Sequence, residues 1–67
     1  MERILKPFED LDEALNFAQK ESEKKSVVLH VIKSFDDKNK PVYYVDDNGF
    51  VRSWEKMEAT YENGVKI

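Results

Sequence analysis

SVVLHVIKSF, residues 26–35, is a run dense in β-branched side chains that carries a single full charge, at Lys33. Val27, Val28, Val31 and Ile32 are stiff at χ1 and suit a pleated, half-buried surface, so the run predicts a central β-strand. Successive side chains of a strand point to opposite faces. One face therefore presents Val27, Leu29, Val31 and Phe35, interrupted by Lys33, and the other presents Val28, His30, Ile32 and Ser34. A strand with one wet side alternates apolar and polar residues, whereas this one is apolar on both sides for most of its length. A lone helix can cover one of these faces, and the sequence leaves open which. Something else is then needed over the second.

Sixty-seven residues make one domain, 1–67, of a size that buries only about 60% of the surface its unfolded chain exposes. Chains this small usually add disulfides, a metal or a partner subunit. No cysteine is present, which excludes disulfides and thiolate metal sites. With one histidine, a zinc site would have to be dominated by carboxylates, an unusual donor set for that metal. No cofactor is expected. Association remains, and a homodimer is the expectation.

Eleven Lys and Arg against fourteen Asp and Glu give a net charge of −3. That balance supplies no positive field to displace counterions from phosphates, so nucleic acid is not an expected partner. The first ten residues, MERILKPFED, lack an apolar signal core and a small-residue cleavage site, and no long apolar run follows; a cytoplasmic protein with no membrane partner is expected.

Ile4 and Leu5 within residues 1–7 suit a short edge strand ending at Pro7, which cannot donate to a ladder. Asp10 then stands as a helix N-cap with Glu13 at capping-box spacing, and acids crowd the first turn where the helix dipole is positive. Leu11, Ala14, Leu15, Phe17 and Ala18 form one stripe at helical spacing, predicting a helix over residues 11–23 that packs on a sheet, with Ala14 and Ala18 allowing close approach. After the central strand, residues 36–41 read as a polar loop and 42–45 as a strand. Asp47-Asn48-Gly49 reads as a hairpin turn returning through 50–54 as the third strand of a meander. A two-residue turn would put Tyr43 and Val45 on the face of Arg52 and Trp54; a bulged turn, the favoured form, puts Val42 and Tyr44 there. Residues 55–67 allow two readings: a second hairpin about Asn63-Gly64, which is preferred, or a helix through Trp54, Met57 and Tyr61.

Three constellations bear on function. Asp36-Asp37 and Asp46-Asp47 could supply oxygen ligands to a divalent cation, but in a meander they lie at opposite ends of the sheet, about 17 Å apart, so they read as turn formers. His30 alone titrates near neutral pH, and no nucleophile or triad can be assembled around it; it reads as a strand histidine bonded to a neighbour, and catalysis is not expected. Tyr43, Tyr44, Phe50, Arg52 and Trp54 gather aromatic rings and a guanidinium. Such a group fills small cores, anchors protein interfaces, or stacks single-stranded bases.

The fold expected is α+β, one helix packed on a small antiparallel sheet in the order strand, helix, strand, strand, strand, with a C-terminal hairpin or short helix. The function expected is a small non-catalytic interaction module binding itself or another protein, through Val28, His30, Ile32, Tyr43, Tyr44, Arg52 and Trp54. Single-stranded nucleic-acid binding through the sheet aromatics is the alternative.

Overall fold

The computed structural model describes residues 3–67. Its elements are β1 (Leu5–Phe8), α1 (Leu11–Lys25), β2 (Val28–Phe35), β3 (Pro41–Asp46), β4 (Lys56–Glu62) and β5 (Val65–Lys66). This is the α+β arrangement expected from the sequence, one helix on an antiparallel sheet. Residues 1 and 2 of the expected first strand lie outside the described residues; β1 itself starts at Leu5 and runs one residue past Pro7.

Asp10 is the N-cap of α1, and its carbonyl takes the Ala14 amide at 3.1 Å. The expected capping box does not form: the Asp10 side chain makes no cap hydrogen bond, so the acids of the first turn act on the helix dipole alone. At the other end Ser26 adopts the left-handed conformation (φ 54°). Its amide bonds the Glu23 carbonyl while the Val27 amide bonds that of Ser22, a Schellman pattern with serine where glycine is usual. The helix thus runs two residues beyond the sequence reading. Ala14, Ala18 and Ser22 form its fully buried row against the sheet.

The strand order is β1-β3-β2-β4-β5, which makes residues 26–35 the middle of the sheet as their composition implies. Leu29 and Val31 face α1 and are fully buried with Val45, and Ala59 and Tyr61 are buried beside them. The order also overturns the meander. β3 has β2 on one side and β1 on the other, so neither of its edges is open to a strand arriving after it. Residues 56–62 take the far edge of β2 instead, and both β3 and β4 run antiparallel to β2, hence parallel to each other. Residues 47–55 are the crossover between them and contain no strand, so neither of the two turn registers expected at Asn48-Gly49 is formed.

The two Asn-Gly pairs show the difference locally. Asn63 and Gly64 have φ of 51° and 81°, the doubly positive conformation that closes a two-residue hairpin. The preferred hairpin reading of the C-terminal segment is therefore correct. Gly49 does not have a positive φ; Asp46 instead accepts the Asn48 amide and Asn48 the Phe50 amide, each at 2.9 Å, and these side-chain-closed turns fold the chain over the sheet. Within β4, Val31 pairs with Ala59 and Ile32 with Met57, leaving Glu58 as an extra, bulged residue. The bulge takes Met57 off the face that Ala59 and Tyr61 share.

Candidate functional site

The second face of β2 is roofed by residues 47–55 of the same chain, a strap running from the end of β3 to the start of β4. Ile32 and Ser34 are buried beneath or beside it. Carboxylates tie the strap to the residues leading into β1 at its start and close a turn within it at its end. At its start the Asp47 side chain accepts the Ile4 amide at 3.0 Å, Asp46 accepts the Asn48 amide, and the Arg3 guanidinium lies 3.4 Å from Asp46 and 3.9 Å from Asp47. At its end the Glu55 carboxylate accepts the Arg52 amide at 3.0 Å. Between these ties Gly49 rests on the His30 ring: a Cβ there would stand 3.1 Å from Nε2, tighter than an ordinary contact. His30 Nδ1 is 3.0 Å from the Thr60 hydroxyl, so the half-buried imidazole is bonded to a neighbouring strand.

Strap, sheet and β1 enclose a cleft of about 530 Å³. Ile32, Ser34 and Tyr44 form its floor, Leu5 and Arg3 one wall, and Phe50, Arg52 and Trp54 the strap side. Phe50 and Trp54 are 70% and 57% exposed, and the Arg52 guanidinium sits 5.6 Å from the Trp54 ring centroid, within cation–π range.

The sequence-predicted residues separate across the sheet. Tyr44, Ile32, Arg52 and Trp54 meet at the cleft. Tyr43 points the other way, opposite Lys33 and Phe8 in the ladders and packed against the helix-side core. His30 lies under the strap, and Val28 stands on the second face beside Glu62, 37% exposed. Arg3, Leu5, Ser34 and Glu55 were not singled out from sequence; their roles depend on β1 joining β3 and on the strap crossing β2, neither of which has a local signal. The acidic pairs serve as turn formers. Asp36 accepts the amides of Lys38 and Lys40 at 2.9 and 2.8 Å, at the opposite end of β3 from Asp46 and Asp47.

No protein-family model, curated protein or solved structure matches this chain, so what the cleft can do follows from its geometry. Among the described residues no helix is long and apolar enough to cross a membrane, and no group of three or more metal-ligating side chains converges.

Glu55 reports on the strap. The Arg52 amide, then the Ser34 hydroxyl, hold its carboxyl below the ordinary glutamate range against a small opposing effect of burial, with the Arg52 charge adding to the lowering. A depressed folded value means the carboxylate stabilises the fold above the unfolded pKa, and that this contribution disappears as pH falls through the folded one. Glu55→Gln should therefore lower the urea midpoint at pH 7, with the gap from wild type closing below about pH 4. A gap that is independent of pH would show that the ionised carboxylate does not hold the strap.

Proposed function

We propose that the protein is a small non-catalytic interaction module that pairs with a second copy of itself, or with another polypeptide, through the face opposite α1. The observation that carries this is the placement of its exposed apolar side chains. Seven large apolar side chains are substantially exposed among the described residues. Leu5, Val28, Phe50, Trp54, Val65 and Ile67 stand on that side, by strand register or as walls of the cleft, while Phe35, at the end of β2, falls in the alternation of the helix-facing residues. Concentrated apolar exposure of this kind marks interaction surfaces, and tryptophan beside arginine is the composition of binding hot spots. The molecule's extents of 34 × 22 Å give a face of the same order as the ~800 Å² each partner contributes to a standard interface.

The face is favoured over the sheet edges. β1 is four residues with Lys6 and Pro7 within it, β5 is two residues, and the exposed part of β4 carries Lys56 and the Glu58 bulge. Short strands, proline, charge and bulges are the devices that prevent edge pairing.

Sedimentation equilibrium from low micromolar to millimolar concentration tests the proposal. A reversible dimer is expected, weakened at least tenfold, about 1.4 kcal/mol, by Phe50→Ser combined with Trp54→Ser. Both side chains are exposed, so circular dichroism should be unchanged. A monomer at millimolar concentration would remove the second copy as partner, and association unaffected by the two substitutions would remove the face.

A further inference from the structure

We infer that the cleft between the strap and β1 takes an extended, acidic and apolar polypeptide segment, one carboxylate of which is held by Arg52. This rests on the interaction reading above and names the chemistry of what is bound. The charges of the cleft carry the inference. Its two acids are occupied: Asp46 by the Arg3 guanidinium and the Asn48 amide, Glu55 by the Arg52 amide. The Arg52 guanidinium, by contrast, makes no hydrogen bond or ion pair with the described residues.

That guanidinium lies 5.6 Å from the Trp54 ring centroid, within cation–π range, on an exposed side chain at the rim of the cleft. The planar fork of N–H donors of an arginine matches a carboxylate in bidentate geometry, and less entropy is lost per hydrogen bond formed than for a lysine. Beside it Tyr44, Ile32 and Leu5 provide an apolar trough. An extended segment alternates its side chains, so an apolar residue can enter the trough while its neighbour's carboxylate reaches the rim. The volume of about 530 Å³ accommodates a few side chains. A nucleic acid fits less well. Two carboxylates border the cleft, the chain carries a net charge of −3, and a phosphate backbone needs a track of cations rather than one unpaired arginine.

The test is an NMR titration of the intact chain with the acetylated, amidated peptide Leu-Glu-Phe-Glu-Leu and its Leu-Gln-Phe-Gln-Leu counterpart. The acidic peptide is expected to shift the Trp54 indole and Arg52 Nε–H resonances and to bind about tenfold more tightly than the glutamine peptide at low salt, the preference shrinking as salt rises. Arg52→Gln should abolish the preference while leaving the weaker apolar binding and the fold intact, because the side chain points outward.

Equal affinities, a preference that survives Arg52→Gln, or no binding of either peptide would each overturn the inference. So would quenching of Trp54 by oligothymidylate with a steep salt dependence where the peptides have no effect. If the peptides fail but Phe50→Ser with Trp54→Ser still weakens self-association, the face remains an interface and only the carboxylate site falls.

Discussion

Leu29→Ala is expected to cost about 3 kcal/mol and to lower the thermal midpoint by roughly 12–24 °C, the scale for a truncated core leucine in a domain of this size. Leu29 is the largest of the fully buried side chains, and the buried cluster around it is thin: three of its members are Ala14, Ala18 and Ala59. Alanines on both sides cannot move in to fill a vacated leucine site, so the cavity persists and its cost adds to the lost transfer free energy. A chain of this length has a total stability of roughly 3–10 kcal/mol, so the variant should be near or past its unfolding midpoint well below wild type. Val28→Ala is the matched control. It removes a larger-than-methyl group from the adjacent residue, but on the other face and from a partly exposed site, and should cost under about 1 kcal/mol. Thermal denaturation followed by circular dichroism measures both, and similar losses for the two would contradict the assignment of faces.

Gly64→Val should be nearly as damaging, at about 2–3 kcal/mol, because a β-branched residue would be forced to a φ of 81°. Its Cβ would also meet Glu23, at 2.6 Å from Oε2 and 3.0 Å from Cβ. The carboxylate can swing away, but the Cβ is fixed to the helix. The position is also the point where the hairpin is stitched to α1. The Gly64 amide donates to the buried Ser22 hydroxyl at 2.9 Å, and its carbonyl accepts from Gln19 at 3.2 Å. Displacing the turn would leave the Ser22 hydroxyl without that partner. Amide exchange should show protection lost first at Ile67, whose amide bonds the Thr60 carbonyl across the hairpin. Asn63→Gly, at the neighbouring positive φ, should be neutral or stabilising. Wild-type exchange at Ile67 in Gly64→Val would refute the assignment of the turn.

The parts of this fold that local chemistry encodes were legible in the sequence. The central strand, the amphipathic helix with its Ala14–Ala18 approach and the Asn63-Gly64 hairpin each announce themselves within a few residues. Ser22 did not, since a polar residue continuing the alanine row looks like the end of a stripe; its hydroxyl donates to the Gln19 carbonyl within the helix, and the turn arriving at Gly64 adds the amide that it accepts. The meander failed for a non-local reason. Asn48-Gly49 resembles Asn63-Gly64 in composition, but β1 had already taken the outer edge of β3, and a strand returning from that turn would have had nothing to pair with. Likewise the two-sided apolar character of β2 correctly indicated a cover for its second face, while the cover proved to be residues 47–55 of the chain itself. Of the site, Tyr44, Ile32, Arg52 and Trp54 could be named from residue type; their separation from Tyr43 needed the register.

The strap contributes no rung to the sheet, being anchored through Asp46 and Asp47 at its start, closed on itself by Glu55 at its end and resting on His30 at Gly49. Framework and the proposed recognition surface in this way fall on separate stretches of one short chain, an economy familiar from loops displayed on rigid scaffolds. Positions 50–54 can therefore be randomised in a library while the anchors and Gly49 are kept, so new specificities can be selected without redesigning the protein beneath them.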